Sequence, residues 1–306
     1  MLRIVTRVPQ LDPGLRRAIH RLSCHFPFRP LPPKKPEKGI HMRFRLGLAT
    51  GLLIVAAPAF AEDRDYCPAR PGLGTPACTI SPGRVSVEMG LADWTLDQDS
   101  SQRTDTVLIG DTLVRIGLTD TIEAQIGWTP YGHVRTRDKL AGTIDNAGAT
   151  GDAMLGFKVN LHHPDGSGLS AAIQPFVTVP IGRSPLGAGD WGAGVVAPVD
   201  FALNDTLSLQ FTPEVDAAVD QDGNGRHFAA SGTIGLGVAL SKKVSVTEEV
   251  QALRDADPSG KTWQALESTS LAWMPRDNLQ LDIGAVAGLN RDAPDAEFYV
   301  GVSRRF

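Results

Sequence analysis

From residue 84 to the end of the chain, apolar side chains recur at every second position in segment after segment. Val85, Val87, Met89 and Leu91 alternate with Ser86, Glu88 and Gly90, and Leu279, Leu281, Ile283 and Ala285 alternate with Gln280, Asp282 and Gly284. A period of two places one set of side chains on each face of a strand, whereas a helix needs a period near 3.6. Twelve such segments are readable, at 84–97, 103–118, 121–135, 150–161, 168–181, 190–203, 206–219, 226–240, 243–254, 262–274, 279–290 and 297–306. Strands of about 9–11 residues cross a bilayer, while globular strands average about 5–6. Short links such as Thr119-Asp120 and Asn204-Asp205 alternate with longer ones such as 136–149 and 182–189.

That alternation fixes the fold class. An open sheet leaves edge N–H and C=O groups that lipid cannot satisfy, and closure into a barrel removes the edge. The expectation is an all-β, antiparallel transmembrane β-barrel of about 12 strands over residues 84–306, with both barrel ends on the short-turn, periplasmic side. A soluble sandwich or lipocalin-type barrel is the rival, but the second face is too polar for a packed core. Two segments fit poorly. Glu248 falls on the Val244/Val246 face, and in 262–274 the apolar face switches between Leu266 and Leu271, so a bulge is expected in either.

The preceding residues differ in kind. Residues 1–61 carry 11 Lys/Arg against 2 Asp/Glu, whereas the other 245 carry 19 against 32. An acidic body argues against nucleic acid as a partner. Residues 42–61 run from Met42 through Arg43-Phe-Arg45 and an apolar stretch to Ala59-Phe60-Ala61, the three-part pattern of a secretory signal peptide. An uncleaved anchor helix is the alternative. Residues 1–41, rich in Arg and Pro, read as a disordered leader or a mis-assigned upstream extension.

The mature chain then starts near residue 62 and keeps two cysteines, Cys67 and Cys78, within a Pro/Gly-rich stretch at 62–83 that suits neither helix nor central strand. In an oxidising compartment they read as a disulfide, with two unpaired thiols as the alternative. The stretch is expected to be periplasmic, and whether it enters the barrel as a plug is left open by the sequence.

Charged residues on the polar face are the lumen-lining candidates: Glu88, Asp111, Arg115, Glu123, Asp152, Lys158, Glu214, Asp216 and Asp282. They would line a wet path or pair inside a closed barrel. Motifs for chemistry are weak. Gly187-Ala-Gly-Asp-Trp-Gly192 has the letters of a dinucleotide loop but precedes a strand, and no cofactor is expected. Asp220, Asp222 and Asn224 match half of a calcium loop whose twelfth position would be Ser231 instead of Glu. No other metal site is visible. His133, or His227 with Ser231, are the residues a rim-sited hydrolase would use, but no nucleophile elbow is present and no enzyme is expected.

The chain ends Glu297-Phe-Tyr-Val-Gly-Val-Ser-Arg-Arg-Phe306. Phe298, Val300, Val302 and Phe306 resemble the C-terminal assembly signal of Gram-negative outer-membrane barrels, with Arg304 departing from the alternation. Arg70-Pro-Gly-Leu-Gly-Thr-Pro76, Gly127-Trp-Thr-Pro-Tyr131, Gly187–Gly192, Thr212-Pro-Glu-Val-Asp216 and the last six residues resemble the outer-membrane transporter family associated with the meta-pathway of phenol degradation. That resemblance implies an outer-membrane protein whose partners are membrane lipid, the assembly machinery and a small hydrophobic or aromatic solute. It implies passive passage of that solute as a channel or transporter. A non-conducting structural or adhesive barrel is the second reading.

Overall fold

The computed structural model describes residues 64–306. The expectations for residues 1–41 and 42–61, the signal peptide among them, lie outside that range. Sixteen strands form one sheet: β1 (Val85–Gln98), β2 (Gln102–Ile109), β3 (Asp111–Gly117), β4 (Ile122–Trp128), β5 (Tyr131–Asp138), β6 (Ile144–Ala149), β7 (Ala153–His162), β8 (Leu169–Val179), β9 (Gly192–Val196), β10 (Val199–Ala202), β11 (Leu207–Val219), β12 (Arg226–Ser241), β13 (Val244–Asp255), β14 (Thr262–Arg276), β15 (Leu279–Gly288) and β16 (Ala296–Arg305).

These strands make twelve staves, because four staves are interrupted. β2 and β3 pair in turn with β1 and are separated only by Gly110, whose φ of 75° takes the chain out of the strand region. Thr129-Pro130 separates β4 from β5, residues 150–152 separate β6 from β7, and Ala197-Pro198 separates β9 from β10. Proline lacks the N–H that a ladder needs, which accounts for two of the breaks. Each remaining strand is one stave, and antiparallel pairing of β1 with β16 closes the ring. Val85 and Phe306 exchange backbone hydrogen bonds at that seam, so both barrel ends meet on the short-turn rim.

Two expectations need correction. The 136–149 stretch is mostly strand: β5 runs to Asp138 and β6 begins at Ile144, leaving a loop at 139–143. The alternation there is masked by small and polar residues, which are tolerated because β6 is largely exposed on both faces. No bulge lies at Glu248 or between Leu266 and Leu271: pairing of β13 with β14 runs unshifted from Val244↔Trp273 to Asp255↔Thr262, and register shifts occur only at the segment ends, between Trp273 and Arg276 against β15 and between Ala239 and Ser241 of β12. Glu248 is exposed beside the outward valines, where Thr269 Oγ1 donates to it at 2.6 Å, and Glu249 is buried. Leu266 is a buried, inward apolar residue, and Leu271 faces out.

The outer surface carries the apolar side chains. Ile126, Leu155, Phe157, Phe211, Ile234, Val250 and Ile283 are all exposed, while the largest fully buried side chains are Arg115, Lys158, Glu88 and Glu123. This inversion of the usual soluble pattern requires an apolar surrounding medium. Trp128, Tyr131, Trp191, Trp263 and Trp273 are exposed near strand ends, and Trp94 stacks on Phe298 with ring centroids 5.9 Å apart. Amphipathic rings at those positions suit the membrane interfaces. Phe298, Val300 and Phe306 lie on the same outer face.

Candidate functional site: the filled lumen

Residues 64–81 form no strand and lie inside the barrel, with Tyr66, Ala69, Arg70, Thr75 and Ala77 through Ser81 buried. The three prolines and two glycines from Pro68 to Pro76 prevent a ladder, so the backbone N–H groups of this segment need other acceptors. The staves supply them from inward positions. Glu88 accepts from Ala69 N at 2.7 Å and Arg70 N at 3.2 Å. Glu249 accepts from Leu73 N at 2.7 Å and Gly74 N at 2.9 Å. Asp200 accepts from Ala77 N, and Glu123 from Ile80 N, each at 2.7 Å. Tyr299 Oη accepts from Gly72 N at 3.0 Å.

Cations hold the carbonyls and balance the carboxylates. Arg115 binds Glu123 through Nε and Nη2 at 2.7 and 2.9 Å, and Glu88 through Nη1 at 3.1 Å. The same guanidinium donates to Cys67 O at 2.8 Å and Cys78 O at 3.2 Å. Cys67 and Cys78 form a disulfide, so one arginine clamps both ends of the stapled loop. Lys158 Nζ donates to Pro76 O at 2.7 Å and lies 3.9 Å from Glu123. Arg70 reaches Asp282 at 3.0 Å, and Gln280 donates to Arg70 O at 2.7 Å. Fully buried charges are tolerated only when paired and hydrogen-bonded in this way. Two glycines make room: a Cβ at Gly301 would run into the Arg70 guanidinium, and one at Gly117 into the Ser81 carbonyl. Burial, reinforced by the Glu88 carboxylate, raises the Tyr66 hydroxyl above the ordinary phenol range. It stays neutral and shares a 2.7 Å hydrogen bond with Ser86 Oγ.

Five of the nine sequence candidates, Glu88, Arg115, Glu123, Lys158 and Asp282, thus contact the inserted segment or its partners. Of the other four, Asp111 flanks Gly90 together with the Arg70 guanidinium, and Asp152, Glu214 and Asp216 lie elsewhere. Asp111 is buried and accepts from Thr129 Oγ1 at 2.8 Å. Asp152 caps the 180–191 loop, accepting from Gly182 N at 2.8 Å and Ala188 N at 2.7 Å. Glu214 and Asp216 sit on β11 beyond Thr212, which meets Thr75, and Asp216 Oδ1 is buried with no hydrogen-bond partner. In this long-loop half Leu266, Val286, Ala293 and Tyr299 cluster with Leu73 against them. A small apolar cavity adjoins the cluster, lined by Leu73, Leu266, Val286 and Pro294 and edged by Gln251 and Glu297. Asp200, Glu249, Gln280 and Tyr299 were not among the candidates. The signal for Glu249 was present, because placing Glu248 with the outward valines turns Glu249 inward.

The calcium-loop candidates separate: Asp222 accepts from Asn224 N at 2.8 Å in the loop tip, while Asp220 turns to His227 at 2.9 Å. The His227 ring contacts aspartates, and among the described residues it makes no hydrogen bond to Ser231.

A closed twelve-stave barrel with an apolar exterior, both ends on the short-turn rim and an N-terminal segment in its lumen defines an outer-membrane β-barrel. The sequence places it further. Residues 69–306 match the family described as "Putative MetA-pathway of phenol degradation", and the chain belongs to that family. No curated protein matches the sequence. Among solved structures, an outer membrane channel from Pseudomonas putida F1 is similar, with 11% identity, a TM-score of 0.60, and 80% of this chain and 99% of that chain covered. The KdgM porin aligns at 9% identity and TM-score 0.45, over 72% of this chain and 99% of its own. The CymD monoaromatic hydrocarbon channel aligns at 8% identity and TM-score 0.40, over 74% and 88%.

Proposed function

We propose that this barrel is an outer-membrane channel that passes small hydrophobic or aromatic molecules by passive diffusion. The observation that carries the reading is the filled lumen. Residues 64–81 and their bonded carboxylates fill the lumen from the short-turn rim up to Leu73, where a general porin has open water. A sugar or ion entering from the long-loop side would meet that obstruction. An apolar solute would find apolar contact at the small Leu73–Leu266–Val286 cavity beside that segment. From there it moves past the inserted segment when that segment shifts, or out through the barrel wall into the apolar phase. Family membership supports the same substrate class, since aromatic substrates of a degradation pathway must first cross the outer membrane.

No nucleotide-binding element is needed for such transport, because the concentration gradient drives it. The protein reconstituted in liposomes is expected to pass a small aromatic acid faster than a sugar of similar size. Equal rates would replace the reading with a general pore, and no flux through a folded barrel would favour a structural role.

A further inference from the structure

The long-loop rim carries a second constellation that solute passage does not use. Asp220 follows β11, His227 is the second residue of β12, Asp255 ends β13 and Asp257 follows it. Pairing of Ala218 with His227 and of Ala229 with Asp255 brings the three strand ends together. The His227 side chain is only 6% exposed. Its Nδ1 lies 2.9 Å from Asp220 Oδ1 and 3.4 Å from Asp257 Oδ2, and its Nε2 lies 2.8 Å from Asp255 Oδ1.

A neutral imidazole has one N–H, so one of its two nitrogens presents a lone pair to carboxylate oxygen. Nε2 is buried and makes no hydrogen bond despite its approach to Asp255. Three carboxylates around one ring also leave an excess of negative charge. The neighbouring Arg226 does not offset it by contact, because it is directed to Asp190 at 2.8 Å and stacks on Trp191.

We propose that Asp220, His227 and Asp257 hold a divalent transition-metal ion of the zinc class, which ties the 220–225 loop to the 256–261 loop. One ligand atom from each residue lies within 4.8 Å of the others. A tetrahedral ion with bonds of about 2.0–2.2 Å sets its ligand atoms about 3.3–3.6 Å apart, so the two distances from Nδ1, 2.9 and 3.4 Å, need to change by only a few tenths of an ångström. Nδ1 is the ligating nitrogen. Nε2–H then turns to Asp255, the carboxylate–histidine–metal arrangement that fixes a ligating ring. Asp257 is held in place by Gln221 N and Ser259 N, each at 2.7 Å. An imidazole among the donors selects zinc over calcium, which takes six to eight oxygens. Such an ion would pin two external loops over the long-loop mouth, beside the Glu214–Asp216 side of the lumen.

The test uses the purified protein stripped with a chelator and titrated calorimetrically with zinc alone and calcium alone. The expected result is one zinc per chain, with affinity reduced at least tenfold in His227→Gln and in Asp255→Asn, and no comparable calcium binding. Circular dichroism establishes that each variant is folded. Zinc-edge absorption of the unmodified protein adds a readout that needs no variant, with one nitrogen and otherwise oxygen neighbours expected. Zinc affinity unchanged by His227→Gln, calcium bound as tightly as zinc, or an absorption spectrum without a nitrogen neighbour would each overturn the proposal.

Discussion

The two halves of the lumen are built on opposite rules. In the short-turn half, Glu88, Arg115, Glu123 and Lys158 are fully buried, and each meets a partner on the inserted segment or the wall. In the long-loop half, Asp216 keeps a buried oxygen without a partner, and a small apolar cavity adjoins Leu73, Leu266 and Val286. A charged half, whose ion pairs and carboxylates bond the inserted backbone, holds a segment in place. The other half leaves a small apolar space beside Leu73. Lumen charge alone therefore does not identify a conduction path: the fully buried charges of this barrel bond the inserted segment and one another.

Arg115 is where that contrast breaks most completely. Arg115→Met strands Glu88 and Glu123 in a buried site and releases both disulfide-flanking carbonyls. Breaking one buried ion pair costs about 3–5 kcal/mol. The expected outcome is a lower unfolding midpoint and a leak of polar solutes, read by denaturant titration and by sugar flux in liposomes. If sugars remain excluded at unchanged stability, the cradle does not hold the segment.

A smaller effect is expected at the staple. The disulfide closes a short loop, and such links stabilise by about 2–4 kcal/mol, mainly by constraining the unfolded chain. In the double variant Cys67→Ser, Cys78→Ser, the Arg115 clamp and the carboxylate acceptors remain. Stability should fall while sugar exclusion is largely kept. A leak equal to that of Arg115→Met would mean that the staple, and not the cradle, closes the lumen.

Much of the barrel was legible because lipid enforces the period of two on every stave. The twelve segments, the outward aromatics and the joined barrel ends all follow from that rule. The 136–149 error arose where the rule lapses, since β6 is exposed on both faces and has no apolar side to display. The cradle was only partly legible. Inward charges such as Glu88 and Arg115 stand out against apolar neighbours, but their partners are backbone groups of a segment without a pattern. Arg70 and Asp282 are 212 residues apart, and nothing local announces that pair. Asp200 and Glu249 sit where a strand break and a suspected bulge obscured the register.

The smallest effect belongs to the other half. Asp216→Asn removes a carboxylate from a position outside the cradle and keeps its size, so stability should change little, by about 1 kcal/mol or less. What should change is the discrimination between cationic and anionic aromatic solutes, measured as relative flux, with passage of the anionic solute rising. A large loss of stability would show that Asp216 belongs to the structural network after all.

The most direct measurement compares the intact protein with a variant lacking residues 64–81, both shown to be folded by circular dichroism, in liposomes offered an aromatic acid and a sugar of equal size. If the inserted segment closes the lumen to polar solutes, the intact barrel passes the aromatic acid and excludes the sugar, and the shortened barrel passes both. A shortened barrel that still excludes the sugar, or an intact barrel that admits it freely, would contradict that account.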